Sequence, residues 1–187
     1  MAARFLASAF CSGPAILLLL ALLLKKLTKY DPGKEAIQSL AKIITYAMCL
    51  NVFFFILEVF TAFYSNIPGH MAPLVYLFQG MEGHSELVVY MNVAAFLAIA
   101  CLVMLIPPAI RDNEKVLPWA LIALVIATWI DKGLGLLVGG FVPNMFERVT
   151  PYLPTFPELM IAMMIYALGA LIVTVLWKIA VAVKQEA

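Results

Sequence analysis

LPWALIALVIATWIDKGLGLLV, residues 117–138, decides the fold class: the stretch is apolar enough to cross a bilayer, yet it carries two adjacent opposite charges, Asp131 and Lys132. A hydrocarbon core about 30 Å thick is crossed by a helix of about 20 predominantly apolar residues. A charge near the bilayer centre costs roughly 2.5–3.5 kcal/mol on insertion scales, and one that persists usually faces a bundle interior, a cavity or a proton path. Asp131 and Lys132 are therefore the leading candidate functional residues. Glu58, inside NVFFFILEVFTAFYS (51–65), is a second buried acid.

Four further runs have the same character, at 5–24, 43–64, 87–106 and 159–183. The chain is 65% hydrophobic and 12% charged over its 187 residues, and its mean hydropathy is +1.02, far from the composition of soluble domains. Apolar residues fall on all sides of these runs rather than alternating, which favours spanning helices over a barrel. The expectation is an all-α integral membrane protein of one domain, 1–187, with five transmembrane helices in a bundle. The first run is too long for the apolar region of a signal peptide and is closed by Lys25 and Lys26 instead of a small-residue cleavage site, so it is read as a retained helix.

Positive charges are distributed asymmetrically. Lys25, Lys26, Lys29, Lys34 and Lys42 crowd the first loop, Arg111 and Lys115 the third, and Lys178 and Lys184 the C-terminal end, whereas the opposite side has only Arg4 and Arg148. By the positive-inside rule the N-terminus lies outside and the C-terminus in the cytoplasm. The net charge of +1 points to no nucleic-acid partner. Cys11, Cys49 and Cys101 lie within spans without CxxC spacing, and read as small membrane-buried hydrophobes.

The loops on the outer side are the longer ones. Between His70 and Glu86 an apolar middle, 73–78, reads as a short helix lying at the interface. GGFVPNMFERVTPYLPTFPE (139–158) has four prolines and reads as an ordered cap, whose Phe141, Phe146, Tyr152 and Phe156 form an interfacial belt or a resting surface for another subunit. Ala7, Ser8, Ala9, Ser12 and Gly13 open the first helix in small-xxx-small spacing, a packing signal. Gly133, Gly135, Gly139 and Gly140 read the same way, or as loosened backbone beside a buried charge.

Helix rise of about 1.5 Å per residue puts Glu58 roughly 9 Å and Asp131 roughly 10 Å below the outer boundary, with Asn92, Ser8 and Ser12 at comparable depth. Four helices are thus expected to share one polar layer. Asp131 and Lys132 point about 100° apart and cannot neutralise each other on one face. The preferred interhelical pair is Lys132 with Glu58, which leaves Asp131 toward a cavity, a second chain or a proton path. The alternative is an ion pair that only fixes helix register. His84 and Glu86 open the third span, with Glu82 before them and Glu158 at the mouth of the fifth, and are candidates for proton release. Each also reads as a solvated helix-end residue, and an acid at a helix N-terminus is favoured by the dipole. His70 and His84 are both outside the spans, so the axial ligands of a membrane haem are lacking, and no metal cluster, nucleotide loop or catalytic nucleophile is apparent.

FLASAFCSGPAILLL (5–19), GHMAPLVYLFQGMEGHSEL (69–87) and above all WIDKGLGLLVGGFVPNMFERVTPYLPTFPELMIAMMIYALGALIVTVLWKIA (129–180) resemble the NrfD/PsrC-type membrane subunits of respiratory oxidoreductases, including the polysulfide reductase membrane subunit. The chain resembles the C-terminal half of a typical member, whose two bundles are related by an internal repeat. Met1 suits a separately encoded half. The resemblance implies a non-haem membrane subunit in a prokaryotic inner membrane, next to an outer iron-sulfur subunit and a separate N-terminal half, with quinone or menaquinone at a shared site. It assigns Asp131 and Lys132 to the family's buried acid-lysine turn and Glu58 to an acidic position, as proton-transfer or coupling groups. A purely structural anchor and a small ion or solute carrier are the alternatives; no inverted repeat or broken-helix pair supports the carrier.

Overall fold

The computed structural model describes residues 2–27, 31–81, 83–141, 148–149 and 155–186. Among these residues five helices are long and apolar enough to cross a membrane: Ala3–Leu27, Lys34–Ser65, Val88–Leu105, Leu117–Phe141 and Phe156–Ala180. Backbone polar groups have no water to bond within hydrocarbon, and helices satisfy them internally. The all-α, multi-pass architecture expected from the sequence is present.

The elements are α1 (Ala2–Leu27), α2 (Lys34–Ser65), α3 (Pro68–Phe78), α4 (Val88–Leu105), the single turn α5 (Pro108–Arg111), α6 (Leu117–Ile130) and α7 (Phe156–Glu186). α6 does not stop at Asp131. It continues as a π-helical segment, Asp131–Val138, and a 3-10 turn, Gly139–Phe141. Prolines near the starts of α3, α5 and α6 lack an N–H that would otherwise be unsatisfied there. α2 begins well before residue 43, because Ile37, Ala41 and Ile44 form a buried stripe in the lysine-rich segment that the sequence assigned to a loop. It ends where Asn66 turns left-handed at φ 50°. The short helix expected at 73–78 is α3, longer by one N-terminal turn.

The chain forms two compact units, 1–150 and 151–187. In the first, α1 packs on α2 and α6, and α4 packs on α6. Small residues on one stripe of α1, Ser8, Cys11 and Ala15, are fully buried and let neighbouring backbones approach. Their partners in the core are Ile44 and Met48 of α2, Leu105 of α4, and Leu121 and Leu124 of α6. The outward faces are apolar as well: Phe53 and Phe60 on α2 and Phe96 and Ile99 on α4 are more than half exposed, as a lipid-facing surface requires. Cys11 and Cys101 are buried, Cys49 faces outward, and all three are free thiols.

The second unit holds α7, whose start is capped by the Glu158 side chain. Glu158 accepts a 2.7 Å hydrogen bond from the Thr155 backbone N–H, and Leu159 N–H donates to the Thr155 carbonyl at 3.1 Å. The dipole reading of Glu158 thereby has a concrete geometry. Phe141 and Phe156 are exposed; Phe146, Tyr152 and most of the proline-rich segment, like Glu82, lie outside the described residues.

A second core cluster joins α3 to the π segment: Tyr76 and Leu77 meet Met91, with Leu134 and Val138 packed against them. Two glycines allow this approach. A Cβ on Gly139 would lie 2.8 Å from Leu77 Cδ1, and one on Gly135 would lie 3.0 Å from Asp131 Oδ1 and 3.1 Å from Met91 Cε. Gly133 and Gly140 meet nothing. The α3 to α4 connection is fixed by paired backbone bonds, Met81 N–H to His84 O at 3.2 Å and His84 N–H to Met81 O at 3.0 Å. Gly80 makes it possible, at φ +82° with its Cβ position 2.8 Å from the His84 carbonyl. Gly80→Ala meets both the left-handed strain and a backbone clash, and is expected to lower stability by about 1–3 kcal/mol. Thermal unfolding in detergent checks this; a variant as stable as the parent would mean that the turn is not fixed as described.

Candidate functional site

The buried stripe of α1 runs from Arg4 through Ser8, Cys11 and Ala15 to Leu18, so Arg4 faces the bundle one turn before Ser8. Its guanidinium is held from two sides. Arg4 Nη1 donates to Glu58 Oε2 of α2 at 2.7 Å, and Arg4 Nη2 donates to Asp131 Oδ1 at the start of the π segment. The Phe55 ring lies 4.7 Å from the guanidinium carbon and covers it. Side-chain exposure is 6% for Arg4, 21% for Glu58 and 17% for Asp131. Three segments far apart in sequence are thus tied by one planar cation whose N–H groups suit two carboxylates at once.

This corrects the expected Lys132–Glu58 pair. Glu58 and Asp131 converge on one point, and two like charges there require a cation between them with separate donors for each. Lys132, one residue on, is turned toward a different face of α1, with Nζ 3.4 Å from Ser12 Oγ and 5.3 Å from the Phe5 ring centre. Asp131 lines a small cavity, as expected of it, but it does not stand unpaired there, because it shares Arg4 with Glu58. Asn92 does not join the cluster, since it is exposed and its Nδ2 donates to Val88 O of its own helix at 2.9 Å.

Arg4 was counted in the sequence only as a charge at the outer end. Two signals mark it: its register with Ser8, Cys11 and Ala15, and charge balance. Glu58, Asp131 and Lys132 together leave one negative charge uncompensated, which Arg4 cancels.

The cluster lies between two hollow spaces in the first unit. On the Arg4 and Glu58 side is a recess of about 510 Å³, between α1, α2, α3 and the π segment, whose other lining includes Thr61, His70, Leu77 and Gly135. Ligand sites are typically about 300–1,000 Å³. On the Asp131 side is a cavity of about 50 Å³, reached also by Asn51, Thr128 and Met91. Asn51 is buried and its Oδ1 has no hydrogen-bond partner among the described residues. Thr128 Oγ1 donates to Leu124 O at 2.9 Å. Beyond this cavity Met48, Leu121 and Leu124 pack with no solvent exposure.

His84 is half-buried in its backbone-paired turn, and Glu86 is exposed just before α4. Burial, helped by the Glu86 charge, raises the Tyr76 phenol above its ordinary pKa. Neither residue lines the recess; its histidine is His70. Among the described residues no group of three His, Cys, Asp or Glu side chains is arranged to hold a metal.

Removing one partner of a buried ion pair strands the other charge, at a cost of about 3–5 kcal/mol. Arg4→Met is expected to show a loss of that order in denaturant unfolding, and most of it should return when Glu58→Gln and Asp131→Asn are added. If the triple variant is no more stable than Arg4→Met alone, the three groups do not act as one unit.

No family model, no characterised protein and no solved structure matches the chain.

Proposed function

We propose that this chain is a membrane subunit of a quinone-linked respiratory oxidoreductase complex, in which the Glu58–Arg4–Asp131 cluster handles protons coupled to quinone chemistry. The observation that carries the reading is the position of this cluster, at the wall of a recess of about 510 Å³ on one side and, on the other, a small, mostly apolar cavity that Asn51 and Thr128 also line. Arginine is not deprotonated in proteins, so a proton passes from carboxylate to carboxylate around Arg4 instead of through it. Protonation of Glu58 weakens its hold on Arg4 Nη1 and leaves the guanidinium to Asp131. Loss of that proton restores the shared state. The apolar walls of the recess and the donors of Arg4 and His70 suit a quinone headgroup, whose carbonyl oxygens accept hydrogen bonds. Electrons would pass between that quinone and an iron-sulfur subunit, with the separate N-terminal half completing the site.

On the positive-inside reading the recess opens outward, the N-terminus is outside and the C-terminus cytoplasmic, in a prokaryotic inner membrane. His84 and Glu86 belong to the loop at the same end and are the groups through which protons would leave. Lys132, held near Ser12, balances the charge of the cluster from the adjacent face.

A structural anchor is the second reading. The favouring observation is that Arg4 is already paired with both acids, as a register-fixing contact would be. The two readings separate in a reconstituted complex. Glu58→Gln and Asp131→Asn are expected to leave the subunits assembled while coupled proton uptake falls by about tenfold or more. Unchanged quinone turnover and proton uptake in both variants would sink the proton role, and loss of assembly ahead of turnover in Asp131→Asn would establish the anchor.

A further inference from the structure

The other end of the first unit, where α1 finishes and α6 begins, carries a groove of about 590 Å³ that the ion cluster does not use. Lys25 is 21 positions from Arg4 along α1, so the two sites are separated by roughly 30 Å of helix. The groove has two layers of different chemistry. Its wall is apolar: Leu19, Leu22 and Leu23 of α1 face Trp119 and Ile122 of α6. Leu23 is 52% exposed and Trp119 70%, so the wall is uncovered among the described residues. Its rim is basic, with Lys25, Lys26 and Lys115 set against Glu114.

The rim charges are not equivalent. Lys25 Nζ donates to both oxygens of Glu114, at 3.0 and 2.9 Å, and lies 3.5 Å from Asp31. Those contacts consume its charge and fix the corner of the rim between α1 and α6. Lys26 and Lys115 form no ion pair among the described residues. Two ammonium groups therefore remain for an anion above an apolar trough. Trp119 stands where an indole ring prefers to lie, between hydrocarbon and water.

A soluble anion would use only the rim, and an apolar peptide would leave both lysines uncompensated. A molecule with an anionic head and a hydrocarbon tail satisfies both layers, and basic pockets between spanning helices are a known setting for such headgroups. We propose that this groove is a binding site for an anionic glycerophospholipid, its phosphate at Lys26 and Lys115 and an acyl chain along Leu19, Leu23 and Ile122. The site is independent of the quinone-linked reading and would stand if that reading fell.

The test is native mass spectrometry of the full chain purified in non-ionic detergent and titrated with phosphatidylglycerol or phosphatidylcholine of matched chains. The parent is expected to retain phosphatidylglycerol preferentially. Lys26→Gln with Lys115→Gln should weaken that binding roughly thirtyfold, from the usual contribution of each surface lysine to anionic-lipid attraction. Lys42→Gln, an exposed lysine outside the groove, should leave it unchanged. Ile122→Trp, which fills the trough without altering charge, should lower binding while the lysines remain. Equal retention of the two lipids by the parent would overturn the proposal, as would loss of selectivity in Lys42→Gln as large as in the double variant. Displacement of phosphatidylglycerol by inorganic phosphate at comparable concentration would overturn the lipid assignment, because the acyl chain would then contribute nothing.

Discussion

The Arg4 guanidinium between Glu58 and Asp131 is the constraint on which the first unit depends. Two carboxylates drawn into an apolar bundle repel each other and lose their hydration, and either alone would be costly. One cation with two separate pairs of donors removes both penalties together. The arrangement also fixes how α1, α2 and the continuation of α6 sit, because Arg4 can reach both acids only if its stripe faces inward. The same stripe places Ser8, Cys11 and Ala15 against the core, so the electrostatic requirement and the packing of small residues select one rotation of α1. Neither would select it as sharply alone, since an all-apolar helix has little to distinguish its faces in lipid.

The π segment adjoins the same cluster. An α-helix through residues 131–138 would present its side chains with ordinary register, whereas the wider turn, in which Gly139 N–H reaches the Leu134 carbonyl, changes the phase immediately after Asp131. Gly135 lets this wider turn lie against Asp131 Oδ1 and Met91, and Gly139 lets the following turn meet Leu77. α3 is held through these contacts, and α3 in turn forms one side of the recess. The ion cluster, the unusual turn and the cavity wall are one connected structure.

Much of this was legible in the sequence, for identifiable reasons. Apolar runs of bilayer length gave the spans, and the depth count from helix rise correctly put Glu58 and Asp131 in one layer. The count could not say which way a residue faces. Asn92 has the right depth and the wrong face; Asn51, two turns deeper than Glu58 on α2, is buried and was passed over. In a soluble helix hydrophobic periodicity would have separated them, but where both lipid and core are apolar that signal vanishes. Arg4 was missed because a basic residue near a chain end is ordinarily a flanking charge. Its partnership shows only when the charges of Glu58, Asp131 and Lys132 are summed. The π turn was hidden because glycines permit it without demanding it.

On the quinone-linked reading, the placement of polar groups limits what the first unit can do alone. Among the described residues the polar groups beside the two hollow spaces run from His70 and Glu58 through Arg4 to Asp131, Thr128 and Asn51; deeper on α2 the buried Thr45 hydroxyl is spent on the Ala41 carbonyl of its own helix. Met48, Leu121 and Leu124 follow with no exposure; of the charged groups farther along, Lys42 of α2 is exposed and Lys25 and Glu114 belong to the opposite end. A proton taken from the recess can thus advance about half the depth of the bundle before it meets packed hydrocarbon. Desolvating it further would cost far more than returning it. On this reading the geometry would be that of a half-path: protons would exchange with one face, and passage across the membrane would need either a rearrangement of the core or polar groups contributed by another subunit.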